Sequence, residues 1–355
     1  MKVHSLSLLG ALAGLASASS QGLISNGETT LNTTEKIKLI TGSSVNTTDG
    51  ESFTALEFLD GSMGFQDYYY VSAFTVATEF YLKSIPVVNG PTSQPLGRTL
   101  WGGRLVETFG SDPYLNGIAT GLGSKVYKDV GVIASAKHSI LNEQETNRTS
   151  SGGGGGAGGG PSFSLSSNSS MSSANASRSS SSGVSGMGSM GASSSSSSSS
   201  SSGASYSSNA DDKTLHETYL WSFYEAVHSG LGAVMCAMTQ VNNTLSCEYS
   251  SLLMKLLKTE LGFPGFVFPD TNAQQHTLAS AANGLDYGSA SLWTTSTIEG
   301  HLKTINLTKA RLNDMAIRNL IGYYHVNLDN GTQPSTAEED AYNWNMVLLT
   351  SISLV

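Results

Sequence analysis

Two short apolar runs in this 355-residue chain end in side chains able to do chemistry. Gly131-Val-Ile-Ala-Ser-Ala leads into adjacent Lys137 and His138, and Gly265-Phe-Val-Phe-Pro leads into the lone carboxylate Asp270. Runs of this kind read as buried parallel strands. In barrel enzymes the C-terminal mouth of such strands is where ligands are held and where reactions occur. Taken singly, Asp270 is a loop former after a strand, Lys137 a surface charge and His138 a satisfied core histidine. Taken together they bring a carboxylate, an amine and an imidazole to strand ends of the same kind.

Other chemistries find less support. His216-Glu217 lies in a helical pattern, but no second histidine follows at the spacing of a zinc protease. His276 and His301 have no cysteine or carboxylate nearby at metal-ligand spacing. A serine hydrolase needs a Gly-x-Ser-x-Gly elbow, and Gly183-Val184-Ser185-Gly186-Met187 lacks its final glycine. Neither a metal nor a cofactor is expected.

The elements that must position these side chains alternate between strand-like runs and amphipathic helices. Phe53 to Leu59, Ser84 to Asn89 and Ala233 to Met238 read as further strands. Leu215, Tyr219, Phe223 and Val227 recur every four residues and predict a helix. A second helix around Leu252 to Leu257 stops at Gly262, and a last one runs from Leu312 to Tyr324. Repeated alternation implies an α/β fold with a parallel sheet. No Gly-rich phosphate loop follows any strand, which favours a barrel over an open doubly wound sheet. About six strands are legible, short of the eight that close a (β/α)8 TIM barrel. The expectation is therefore an incomplete barrel.

The formal net charge of -9 argues against nucleic acid or an anionic membrane surface as partner. Lys2, the apolar stretch Leu6 to Leu15 and Ala16-Ser17-Ala18 read as a secretory signal peptide over residues 1–18. No other run is long enough to span a bilayer. A secreted, extracellular protein is expected, with Asn32, Asn46, Asn147, Asn242, Asn306 and Asn330 as glycan acceptors. Secretion favours a disulfide between the only two cysteines, Cys236 and Cys247, with two buried thiols as the alternative. Residues 149–208 are almost pure Ser and Gly, too polar to bury a core, and are expected to be a disordered insertion.

Longer segments carry a family resemblance. Leu96-Gly97-Arg98, Gly102-Gly103-Arg104, Glu107, Phe109 and Asp112-Pro113-Tyr114-Leu115 stand in one ungapped block. Lys137-His138 with Asn142-Glu143-Gln144-Glu145 forms a second, and Asp212 to Trp221, Val234-Met235-Cys236 and Gln240 to Asn243 follow in order. These blocks resemble the N-terminal catalytic domain of glycoside hydrolase family 3, as found in secreted fungal β-glucosidases. The resemblance implies a retaining hydrolase releasing terminal β-D-glucosyl residues, as in cellulose degradation. Asp270 would be its nucleophile, and Asp60, Arg104, Lys137 and His138 would hold the sugar hydroxyls. It also implies a Cys236–Cys247 disulfide beside the pocket. The β-glucoside or oligosaccharide substrate is the expected partner.

The same resemblance exposes departures. Gln66 stands where the family has an always-charged arginine, Thr271 where it has tryptophan, and Met238 where it commonly has tyrosine. Between Phe74 and Glu79 a helix-bearing segment of the relatives is shortened to four residues. In multidomain members the acid/base glutamate comes from a second α/β domain, for which the 355 residues hold no counterpart. The expected organisation is the signal peptide, barrel portions at 19–148 and 209–326 flanking the insertion, and a tail over 327–355. The alternative function is a catalytically impaired sugar-binding pseudoenzyme or fragment.

Overall fold

In the computed structural model, residues 24–25, 28–47, 50, 52–61, 73–98, 104–144, 148, 206–330 and 333 are described. The expected signal peptide, Gln66, residues 149–205 of the expected Ser/Gly insertion and nearly all of the expected tail lie outside them. Ser207–Ser208, expected to be disordered, instead pair in parallel with Gln240–Val241, because the insertion ends where the chain returns to the folded body.

Five parallel strands form one sheet in unbroken sequence order: β1 (Phe58–Asp60), β2 (Val87–Asn89), β3 (Ile133–Ser139), β4 (Ala233–Cys236) and β5 (Phe266–Pro269). Helices α1 (Thr33–Ile40), α2 (Ala73–Leu82), α3 (Pro113–Val130), α4 (Trp221–His228) and α5 (Ser251–Glu260) punctuate the chain. From β1 to β5, each connection carries one of the helices α2 to α5. After β5 come α6 (Thr277–Asn283), α7 (Thr295–Lys303) and α8 (Lys309–His325). Consecutive parallel order is barrel-like, since an open doubly wound sheet reverses its order part-way. Among the described residues the outer edges of β1 and β5 carry no further strand. The structure thus supports a parallel α/β sheet and leaves its circle open.

Strands β2 to β5 alternate between two apolar environments, as burial on both faces requires, whereas β1 leaves Leu59 half exposed. Val88, Ala134, Val234 and Val267 face outward into a cluster with Tyr127, Phe223, Leu252, Leu253 and Leu257. Val87, Ile133, Ala233, Met235, Phe266 and Phe268 face inward, onto Phe53, Leu56, Ile317, Leu320, Ile321 and Tyr324. All seven residues of β3 are buried.

Sequence signals explain individual boundaries. Asp112 caps α3 by accepting from Leu115 N at 2.7 Å, Pro113 occupies the first turn, and Gly131 ends the helix at φ 102°. The helical pattern through Leu215 to Val227 is realised as continuous helical turns from Asp212 to His228. The shortened segment at Phe74–Glu79 lies inside α2, which buries Val76, Ala77 and Phe80 while Phe74 stays 62% exposed. A helix therefore covers this β/α step, and among the described residues there Leu59 and Phe74 are the exposed large apolar side chains.

Candidate active site

The register of the sheet brings the candidate residues to the C-terminal end of its strands. Asp60 pairs with Asn89 at the ends of β1 and β2, and Pro269 pairs with Cys236 at the ends of β5 and β4. Asp270 follows directly, its N–H donating to Cys236 O at 3.1 Å. On β3 the ladder to β4 shifts register between Ala136 and Ser139. In a regular strand the adjacent Lys137 and His138 would face opposite sides of the sheet. An irregularity of this kind re-aims side chains, and here both reach the same cluster.

Lys137 is 1% exposed and donates from Nζ to Asp60 Oδ1 at 2.8 Å. A single turn over Leu105–Glu107 folds Arg104 back on Glu107, with Nε to Oε1 at 2.6 Å and Nη2 to Oε2 at 2.8 Å. The remaining guanidinium edge, Nη1, meets Nε2 of His138 at 2.8 Å. Guanidinium can only donate, so His138 Nε2 accepts and the ring proton sits on Nδ1. Burial, reinforced by the charges of Arg104, Lys137 and Arg148, holds this imidazole well below the usual histidine range. His138 is therefore neutral.

Nε2 of His138 lies 3.5 Å from Asp270 Oδ2. With its lone pair turned to Arg104 and no proton to give, this is a polar contact and not an ion pair. Asp270 Oδ1 accepts from Thr271 N at 2.7 Å, and Oδ2 is buried with no hydrogen-bond partner among the described residues. Burial raises the carboxyl above its ordinary value, opposed by the Thr271 N–H and the charges of Arg104, Arg148 and Lys137. A carboxylate with one oxygen anchored and the other uncommitted is arranged to attack an electrophilic carbon.

The five expected site residues thus come together, with one difference of detail. Asp60, expected to hold a sugar hydroxyl, keeps 55% of its side chain exposed while one oxygen holds Lys137. The two cysteine sulfurs are bonded, with Cα atoms 5.2 Å apart, and the bridge closes over the Gln240–Val241 and Thr244–Leu245 hairpin.

Residues 191–292 match the family described as Glycosyl hydrolase family 3 N terminal domain, a span that includes β4, β5 and Asp270. Over 396 residues the chain is 63% identical to Probable beta-glucosidase D of Emericella nidulans, covering 96% of this chain and 49% of that protein. The chain belongs to glycoside hydrolase family 3. It is also 35% identical to Beta-glucosidase 1 of Aspergillus aculeatus over 75% of its own length and 27% of that protein's. The fold is similar to the crystal structure of Beta-D-glucoside glucohydrolase from Trichoderma reesei, with a TM-score of 0.66 and 27% identity. That similarity covers 94% of this chain and 43% of that one. The chain spans about half the length, or less, of the relatives it matches.

Two members of this family 3 site were not singled out from the sequence. Glu107 stands three residues after Arg104 in the ungapped block from Leu96 to Leu115, and its place in that block was its signal. Glu143 is buried and accepts from Arg98 N at 2.8 Å and from the Tyr219 hydroxyl. It ties the Leu96–Arg98 loop to the helical turns before α4. A Cβ on Gly97, whose φ is 69°, would collide with the Glu143 carboxylate, so glycine is required there for both conformation and space.

Proposed function

We propose that this chain carries the sugar-binding and nucleophilic half of a secreted retaining β-glucosidase acting on terminal β-D-glucosyl residues. The observation that carries the reading is the uncommitted Oδ2 of Asp270, 3.5 Å from a neutral His138 that is held in turn by Arg104. Asp270 attacks the anomeric carbon and forms a glycosyl ester. Asp60, Arg104, Lys137 and His138 orient the ring through its hydroxyls, which need converging donors and acceptors. Retention also requires a second carboxyl about 5–5.5 Å from the nucleophile to protonate the leaving oxygen. None of the residues assigned here takes that role. The relatives are named β-glucosidases, which supports the substrate class.

A dinitrophenyl β-glucoside tests the reading, because its leaving group needs no proton. Wild type should release a burst of dinitrophenol that Asp270→Asn abolishes, and azide should accelerate turnover of the glycosyl-enzyme. Cellobiose should be cleaved far more slowly, by about 10²–10⁴-fold if proton donation is missing. Glucose binding by calorimetry without any burst would favour a sugar-binding protein over an enzyme. Release equal in wild type and Asp270→Asn would remove the nucleophile assignment.

A further inference from the structure

We propose that Glu107 is a positioning residue of this site: it grips Arg104 so that the guanidinium locks His138 in its Nδ1–H tautomer and stays off Asp270. The inference rests on the glucosidase reading for its kinetic consequences only.

A guanidinium is planar and its five N–H bonds have fixed directions. Glu107 takes the Nε/Nη2 edge in a two-point fork, at 2.6 and 2.8 Å. Once that edge is fixed, the direction of Nη1 is fixed too, and it points at His138 Nε2 at 2.8 Å. The same carboxylate approaches Lys137 Nζ at 3.6 Å, so one anion sits between two cations. The surroundings are sparsely hydrated: the side chains of Arg104 and Glu107 are 23% and 19% exposed, and that of Lys137 is 1%.

Charge-assisted pairs in such a setting are strong, and Arg104 would not remain without a carboxylate. With Glu107 removed, an acceptor close at hand is Asp270 Oδ2, which already lies 3.5 Å from the histidine nitrogen that Arg104 touches. An Arg104–Asp270 pair would occupy the lone pair meant for the anomeric carbon and release His138 to take its proton on Nε2. Glu107 thus prevents a collapse of the site and does so without touching substrate.

The tautomer gives a readout that does not depend on activity. In the full chain labelled with ¹⁵N-histidine, with His138→Gln used for assignment, wild-type His138 should show an unprotonated Nε2 and a protonated Nδ1. Folded Glu107→Gln should shift that signal toward Nε2–H, since an amide would set an N–H against one of the arginine's N–H groups. Glu107→Asp, which keeps the fork, should retain the wild-type pattern. Arg104→Lys cannot fork and should reproduce the Glu107→Gln spectrum, which provides the same reading if Glu107→Gln does not fold. With a dinitrophenyl β-glucoside, Glu107→Gln should raise KM by about 10- to 100-fold, the worth of one charge-assisted hydrogen bond, with Glu107→Asp recovering most of it. A wild-type His138 protonated on Nε2, or a folded Glu107→Gln with an unchanged tautomer or an unchanged KM, overturns the proposal. If wild type turns over no glucoside while the tautomer responds as stated, the positioning role stands and the catalytic reading fails.

Discussion

Phe58 and Phe268 pack with ring centroids 4.9 Å apart, although they belong to β1 and β5, the two edges of the sheet. Phe58 also meets Phe266 edge-on at 6.3 Å and Tyr287 at 5.0 Å. A flat five-stranded sheet would separate its edge strands by about four spacings of 4.8 Å. The sheet is therefore curled strongly enough for its first and last strands to share an aromatic cluster. This curvature also gathers Asp60 and Asp270, from the same two strands, around Lys137 and His138.

That aromatic closure should be measurable. Phe268 is 5% exposed, so Phe268→Ala should cost about 3–5 kcal/mol of stability in denaturant unfolding. A double-mutant cycle with Phe58→Ala should return a coupling of about 0.5–1.5 kcal/mol, as expected for rings in direct contact. Full additivity would mean that the edges do not meet in solution.

Asp270 should be stabilising to remove. A carboxyl whose folded pKa lies above its unfolded value favours the fold while protonated. That contribution is present below about 3.9 and is lost as the pH rises through the folded value. Asp270→Asn should therefore match wild type in Tm at low pH and exceed it increasingly toward neutrality. A variant less stable than wild type at pH 7 would contradict this. The same raised pKa places the acid limb of any pH–rate profile above the ordinary carboxylate range, because the nucleophile must be ionised.

Asp286 holds a buried charge network behind the site. Both its oxygens lie 2.7 Å from Lys258 Nζ, Arg311 Nη1 donates at 2.8 Å and Val267 N at 2.9 Å. Asp286→Ala should cost about 3–5 kcal/mol, because buried Lys258 loses its carboxylate partner and Arg311 is left with Asp314 alone. Burial already pushes Lys258 down to about 7, and Asp286 opposes that fall. Without Asp286 the lysine titrates lower still. The Tm gap to wild type should then widen as the pH drops below 7, and a constant gap would count against a charged Lys258.

The disulfide spans 11 positions. Replacing both cysteines by serine should cost about 3 kcal/mol on the loop-entropy estimate. Because the bridge closes beside Asp270 N, which donates to Cys236 O at 3.1 Å, the double variant should also weaken glucose binding. Calorimetry on the folded variant reads this directly.

The sequence by itself determined the strands ending near Asn89, Lys137-His138, Cys236 and Asp270 and the helices around Leu215–Val227, Leu252–Leu257 and Leu312–Tyr324, because burial and periodicity act over a few residues. Apolar runs ending in Lys137-His138 and Asp270 marked the strand ends that matter, whereas α3, capped by Asp112 and ended by Gly131, was not read from the sequence. The ordered motifs also pointed to glycoside hydrolase family 3 before any coordinates did. Tertiary structure alone decided what those side chains do to one another. Alternation places neighbouring residues on opposite faces, so Lys137 and His138 reach one cluster because β3 departs from a regular ladder there. Only the fork of Glu107 on Arg104 sets the tautomer of His138. Only the curl of the sheet joins β1 to β5, as the contact of Phe58 with Phe268 records. Each of these depends on atoms far apart in the chain and within a few ångströms in space, where hydrogen-bond directions and packing act and local patterns carry no information.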